Sequence, residues 1–122
     1  MKYNRHKYGA KSTRYGGNYY PSQLEANKAF ELDVLQKAGE IKAWSGQHKW
    51  NLYVNDYKIC GYKIDFRVEH NDGWIDYIET KGARTYDFML KWNLTIALFD
   101  ELTEGEDARL YLNEKCVKQS LK

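Results

Sequence analysis

A run of alternating apolar and polar residues ending at Val68 and a second strand-like run from Trp74 to Lys81 flank the segment His70-Asn71-Asp72-Gly73. Strand-like runs on either side of an Asp-Gly turn specify an antiparallel hairpin, and Gly73 suits the left-handed position of a three-residue loop. With Asn71, Asp72 and Gly73 as that loop, the register is fixed. His70 faces Trp74, Val68 faces Asp76, Phe66 faces Ile78 and Asp65 faces Glu79. One side then carries Ile64, Phe66, Val68, Trp74 and Ile78 and is predicted to be buried. The other carries Lys63, Asp65, Arg67, Tyr77, Glu79 and Lys81.

Two carboxylates directly opposite each other repel and weaken a strand pair. Two explanations fit Asp65 and Glu79. An ordinary solvated sheet face would pair them with Lys63, Arg67 and Lys81. Alternatively a divalent cation lies between them, and hard oxygen ligands at that spacing suit Mg²⁺. Lys81 stands two residues beyond Glu79 and so projects from the same face. Two acids and a lysine converge on one patch of sheet.

The rest of the chain builds around this hairpin. Ser22 is a natural helix N-cap and Glu25, three positions on, completes a capping box. Ala26, Ala29, Phe30 and Val34 follow at helical spacing, widened by Leu24, Leu32 and Leu35, until Gly39 ends the helix. Ile41 to Val54 reads as a strand, Asn55-Asp56 as a turn, and the run from Tyr57 or Ile59 to Val68 as the strand entering the hairpin. A second helix is predicted from about Tyr86 to Phe99, and a short last strand from Arg109 to Leu112. The order α-β-β-β-α-β is that of a single α/β domain with one mixed sheet. Its predicted limits are 21–115, between an N-terminal arm (1–20) and a polar tail (116–122).

Composition narrows the class of function. A chain of 122 residues holds one core. No stretch approaches the ~18 apolar residues of a membrane span, and the first residues are too polar for a signal peptide. Cys60 and Cys116 are too few for a disulfide scaffold and lack zinc-site spacing, which suits reduced thiols in a cytoplasmic protein. His6, His48 and His70 form no metal-binding or catalytic spacing. The net charge of +2 conceals an asymmetry: residues 1–20 carry five cations and no acid, so the remainder nets −3. Lys7, Lys11 and Arg14 are interleaved with Tyr3, Tyr8, Tyr15, Tyr19 and Tyr20 and with three glycines. Cations for phosphates and flat rings for bases make such an arm a candidate nucleic-acid contact; a solvated terminus is the plainer reading.

Asp65, followed after a hairpin by Glu79-Thr80-Lys81, resembles the signature of the PD-(D/E)XK nuclease superfamily. The lead-in Trp74-Ile75-Asp76-Tyr77-Ile78, the trailing Gly82 and the order of elements are similar to that family's core. The likeness runs over residues 8–112, including Tyr8-Gly9-Ala10-Lys11 and the helix with Glu25. It is nearest to small phage-encoded endonucleases, among them dimeric enzymes that resolve Holliday junctions. Ile64 departs from the pattern, standing where the namesake proline would be. The resemblance implies a restriction-endonuclease-like fold and Mg²⁺-dependent hydrolysis of DNA, branched or duplex, with Mn²⁺ able to substitute. Asp65, Glu79 and the Thr80 carbonyl would hold the metal, and Lys81 would position a water and offset charge on the phosphate. Glu25 corresponds to a first-helix glutamate at the site's edge, although capping alone would explain it. Gln47 resembles a glutamine that related sequences carry beside the site. Lys91 is placed to reach a phosphate, or to pair with Asp87 at i,i+4.

The second helix is apolar around most of its circumference, with a thin polar stripe of Asp87, Lys91 and Thr95. Such a helix is buried on two sides, which points either to a homodimer or to packing beneath the last strand. A non-catalytic nucleic-acid-binding module with the same fold is the competing function, and it leaves the opposed acids unexplained.

Overall fold

A computed structural model describes residues 13–122. Its elements run β1 (Thr13–Tyr15), β2 (Asn18–Tyr20), α1 (Gln23–Lys37), β3 (Ala43–Val54), β4 (Tyr57–Glu69), β5 (Ile75–Glu79), α2 (Tyr86–Leu102), β6 (Ala108–Leu112) and β7 (Lys115–Ser120). β3 to β7 form one five-stranded sheet in chain order, antiparallel except for the parallel pair β5–β6. A parallel pair cannot be joined by a tight turn, and α2 is the crossover that joins this one. Among the described residues no helix is long and apolar enough to cross a membrane.

Local chemistry sets most boundaries where the sequence places them. Ser22 Oγ accepts from the Glu25 N–H at the start of α1, and Gly39 follows its end in the left-handed region (φ 77°). Asn55 and Asp56 take φ of 50° and 64° between β3 and β4, as a two-residue hairpin turn requires. Gly73 is left-handed, and the β4–β5 register is the predicted one, with Phe66 opposite Ile78 and Val68 opposite Asp76.

Each helix covers one face of the sheet. α1 packs Ala29 and Leu32 onto Ile41, Phe66, Val68 and Ile78. α2 packs Phe88, Trp92 and Phe99 onto Trp50, Leu52, Tyr62, Ile64, Tyr77 and Leu110. The sequence expectation of one buried hairpin face is corrected here. Ile64 belongs to the α2 core and Phe66 to the α1 core, and Tyr77, expected on the polar side, is 1 % exposed. Trp74 is only half-buried, with the Arg109 guanidinium 4.7 Å from its ring centroid.

The cause lies in the middle of the β3–β4 pair. Gly46 pairs with Phe66 and His48 with Ile64, while Gln47 between them has φ 56°. A left-handed residue breaks the alternation of the pleat. Trp44 and Phe66 on one side of it serve the α1 core, and Trp50 and Ile64 on the other serve the α2 core. Asp65 sits at this change of face.

Two further expectations change, and α2 adds a third observation. The segment expected to be a polar tail forms β7, an edge strand paired to β6. Its lysines and glutamine give no apolar alternation to read, because an edge strand is held by backbone bonds and kept unattractive to other strands by charge. The end of the basic arm, in turn, is folded as the β1–β2 hairpin, where Tyr15 Oη donates to Asp33 on α1 at 2.7 Å. Finally, α2 meets the core over a broad arc, with Met89, Leu94, Ile96, Leu98 and Leu102 also packed against it. Its large exposed apolar residues are Tyr86 and Leu90, and this packing within one chain is one of the two alternatives that the sequence offered.

Candidate active site

Asp65 and Glu79 stand one step beyond the last β4–β5 pair, the mutual position that the hairpin register requires. Both are buried, at 9 % and 5 % exposure. The Thr80 N–H and Oγ donate to Asp65 Oδ2 at 2.9 and 3.0 Å, tying the end of β5 to β4. Those bonds occupy one oxygen of Asp65. Among the described residues Glu79 Oε1 is fully buried and has no hydrogen-bond partner, and neither has the Tyr62 Oη that faces this carboxylate. A buried acceptor left unpaired is costly.

Glu25 approaches from α1. Its N–H completes the cap with Ser22, but its side chain turns inward, 5 % exposed, against Asp65. Gln47 Nε2 donates to Glu25 Oε2 at 3.3 Å, so the residue that bends β3 also orients the α1 acid. Capping therefore accounts for the backbone of Glu25 and not for its carboxylate.

Among the described residues, three acids share this space without an ion pair. Arg67, which the sequence offered as a partner, goes instead to Glu69 and Glu106 on the α2 side of the sheet. Lys63 and Lys81 make no ion pair with any described residue either. Burial, reinforced by the Asp65 charge, pushes the carboxyls of Glu25 and Glu79 up to about 8. Burial also raises Asp65, against the opposing pull of the two Thr80 bonds and of Lys81. Lys81 favours the charged form of all three. Its Nζ lies 4.8 Å from the centroid of the Phe88 ring on α2.

The backbone beneath these groups is clamped from the β6–β7 turn. Asn113 Oδ1 accepts from the Lys81 N–H at 2.9 Å, its Nδ2 donates to the Lys81 carbonyl at 3.1 Å, and its own N–H donates to the Glu79 carbonyl at 2.7 Å. Asn113 is left-handed (φ 56°), a conformation that asparagine tolerates better than most residues. Sequence reasoning missed it. The only available signal was an Asn in a short turn, and nothing in the sequence shows that this turn meets β5.

A cavity of about 780 Å³ opens over the acids, lined by Glu25, Asp65, Glu79, Thr80 and Lys81 and walled by Tyr62, Phe88 and Lys91. Among the described residues no three His, Cys, Asp or Glu side chains are disposed to enclose a metal by themselves. The donor set for a hard cation is two carboxylates, Asp65 and Glu79, with carbonyl and water to complete it, which is how Mg²⁺ is usually held. The unpaired, buried Glu79 Oε1 fits that use.

The other sequence candidates are spread more widely. Lys91 lines the cavity and makes no ion pair with Asp87. Arg14 lies 4.6 Å from the Tyr19 ring centroid in the β1–β2 hairpin and does not line the cavity. Lys7 and Lys11 fall outside the described residues. No curated protein matches the chain. The family model described as "Protein of unknown function (DUF1064)" matches residues 5–118.

Proposed function

The chain belongs to the DUF1064 family, and we propose that it is a Mg²⁺-dependent endodeoxyribonuclease of the PD-(D/E)XK kind, with branched DNA among its substrates. The observation that carries this reading is the pair Asp65 and Glu79: opposed, buried, without an ion pair to any described residue, and with one Glu79 oxygen unpaired. A structural network would have supplied the counter-charge from Arg67 or Lys63, as it does for Asp76, which Arg109 and His70 both contact at 2.7 Å.

Asp65, Glu79 and the Thr80 carbonyl would hold the ion, with Mn²⁺ able to replace it. When bound, it would polarise the scissile phosphate and lower the pKa of the attacking water. The chain's own groups do the rest. Thr80 fixes the Asp65 carboxylate through two bonds, so that only its other oxygen is free to act. Lys81, held by Asn113 and against Phe88, presents an ammonium to the negative charge that develops on the phosphate and orients the water. Glu25, steadied by Gln47, borders the same space and adds a carboxylate for water or a second ion. Lys91 supplies a cation at the cavity wall.

The test is incubation of purified protein with Mg²⁺ and a panel of four-way junction, duplex and single-stranded DNAs. Cleavage that EDTA abolishes is the expected result, and symmetric cuts in the junction would identify resolution of branches. A nucleic-acid-binding module would retain these DNAs and leave them whole.

A further inference from the structure

Lys49 on β3 and Lys63 on β4 are direct cross-strand partners. As cross-strand partners they project from one face of the hairpin, where like charges weaken a strand pair. Among the described residues neither makes an ion pair. Both line the cavity that holds Glu25, Asp65 and Glu79. Gly61, two residues before Lys63 on β4, explains how Lys49 reaches it. A Cβ at Gly61 would come within 3.2 Å of Lys49 Cε, so the lysine stem crosses β4 over the space that the missing side chain leaves. Lys91 on α2 lines the same cavity.

We infer that Lys49 and Lys63 form a phosphate-binding rail for the backbone of duplex DNA, beside the position of the phosphate to be cut. The inference rests on reading the cavity as a DNA-cutting site and names the surface along which the strand runs. Two cross-strand lysines without an ion pair to any described residue become favourable contacts once backbone phosphates lie over them. Each phosphate neutralised releases counterions and contributes about 0.9 to the log–log salt dependence of binding.

The experiment titrates a labelled linear duplex with the full chain in EDTA across a range of salt. It compares wild type, the double variant Lys49→Ala/Lys63→Ala, and Lys115→Ala on the opposite sheet edge. The double variant is expected to raise Kd about tenfold or more at low salt and to lower the slope by roughly two. A melting temperature within a few degrees of wild type separates weakened binding from a damaged fold. Lys115→Ala should match wild type. An unchanged slope in the double variant, or an equal weakening in Lys115→Ala, overturns the rail. Cleavage in Mg²⁺ of the duplex and of a four-way junction is scored separately. Wild-type cutting of either with an unchanged double-variant slope removes the rail alone. A lowered slope without wild-type cutting of either DNA removes the nuclease reading and leaves a DNA-binding rail. No wild-type binding to the duplex removes the rail, and junction cleavage then decides the nuclease reading by itself.

Discussion

At Asp65 one unit of charge separates a metal site from a structural contact. Asp65→Asn keeps an oxygen that can accept the two Thr80 bonds and loses the charge that would hold a cation. Cleavage should fall below detection, DNA affinity should stay level or rise, and the melting temperature should rise at pH 8 and above, where Glu25 and Glu79 ionise and their repulsion with Asp65 is relieved. Near-native cutting by this variant would falsify the metal site. Glu79 gives a second, activity-free readout. Its carboxyl, like that of Glu25, is raised from an ordinary 4.5 to about 8. Between those values the folded chain binds protons that the unfolded chain has released, so stability falls as pH rises across that window. His48, held below its usual range by burial, acts in the opposite sense at the acidic end, and comparison with Glu79→Gln cancels it. Melting in EDTA should therefore decline from pH 5 to pH 8 more steeply in wild type than in Glu79→Gln. Mg²⁺ should restore several degrees at pH 8 and less at pH 5, since it competes with protons for the same oxygens. Equal pH profiles for the two proteins would count against the buried, raised carboxyl.

Among the elements, the β6–β7 turn is the one whose importance exceeds its length. Through Asn113 it makes three bonds to the strand end that carries Glu79 and Lys81. Asn113→Ala removes two of them and puts alanine, which tolerates the left-handed region less well than asparagine, at φ 56°, at a cost of about 2–3 kcal/mol. Asn113→Gly removes the same bonds without the backbone strain. Melting temperatures should rank wild type, then Gly, then Ala, while cleavage falls by roughly ten- to a hundredfold in both variants because Lys81 is no longer held. Full activity in Asn113→Gly would reduce the clamp to a local turn. The bend at Gln47 is the other decisive element. It divides β3 and β4 between two cores and so lets Asp65 meet Glu25 from α1 as well as Glu79 from β5.

For the whole molecule the open variables are reach and copy number. Residues 1–12 carry Lys2, Arg5, Lys7 and Lys11. Removing them should weaken DNA binding and reduce the salt slope by up to about 0.9 for each phosphate that they neutralise. An unchanged slope would leave the cavity lysines as the main backbone contacts. Paired cuts across a branch need two cavities and hence two chains. An enzyme that resolves junctions should therefore sediment at twice 14.5 kDa. A monomer at micromolar concentration that still makes symmetric cuts would exclude that geometry.

The hairpin register was legible because a turn with Gly73 and a period-two pattern act between neighbours in the chain, and the positions of Asp65, Glu79 and Lys81 follow from them directly. The helix start at Ser22 and the turn at Asn55-Asp56 were readable for the same reason: capping and left-handed backbone are local chemistry. Tertiary structure alone decided what surrounds those residues. Whether Glu25 caps its helix or turns inward depends on a bend in β3 that arises from one left-handed glutamine. Asn113 depends on β7 returning beside β6, a strand held by backbone bonds that side-chain periodicity does not record. Arg67 leaves the acids unpaired because Glu69 and Glu106 lie closer to it in space. Contacts between residues far apart in the chain carry no sequence period, and in this site they decide which charges are left without a partner.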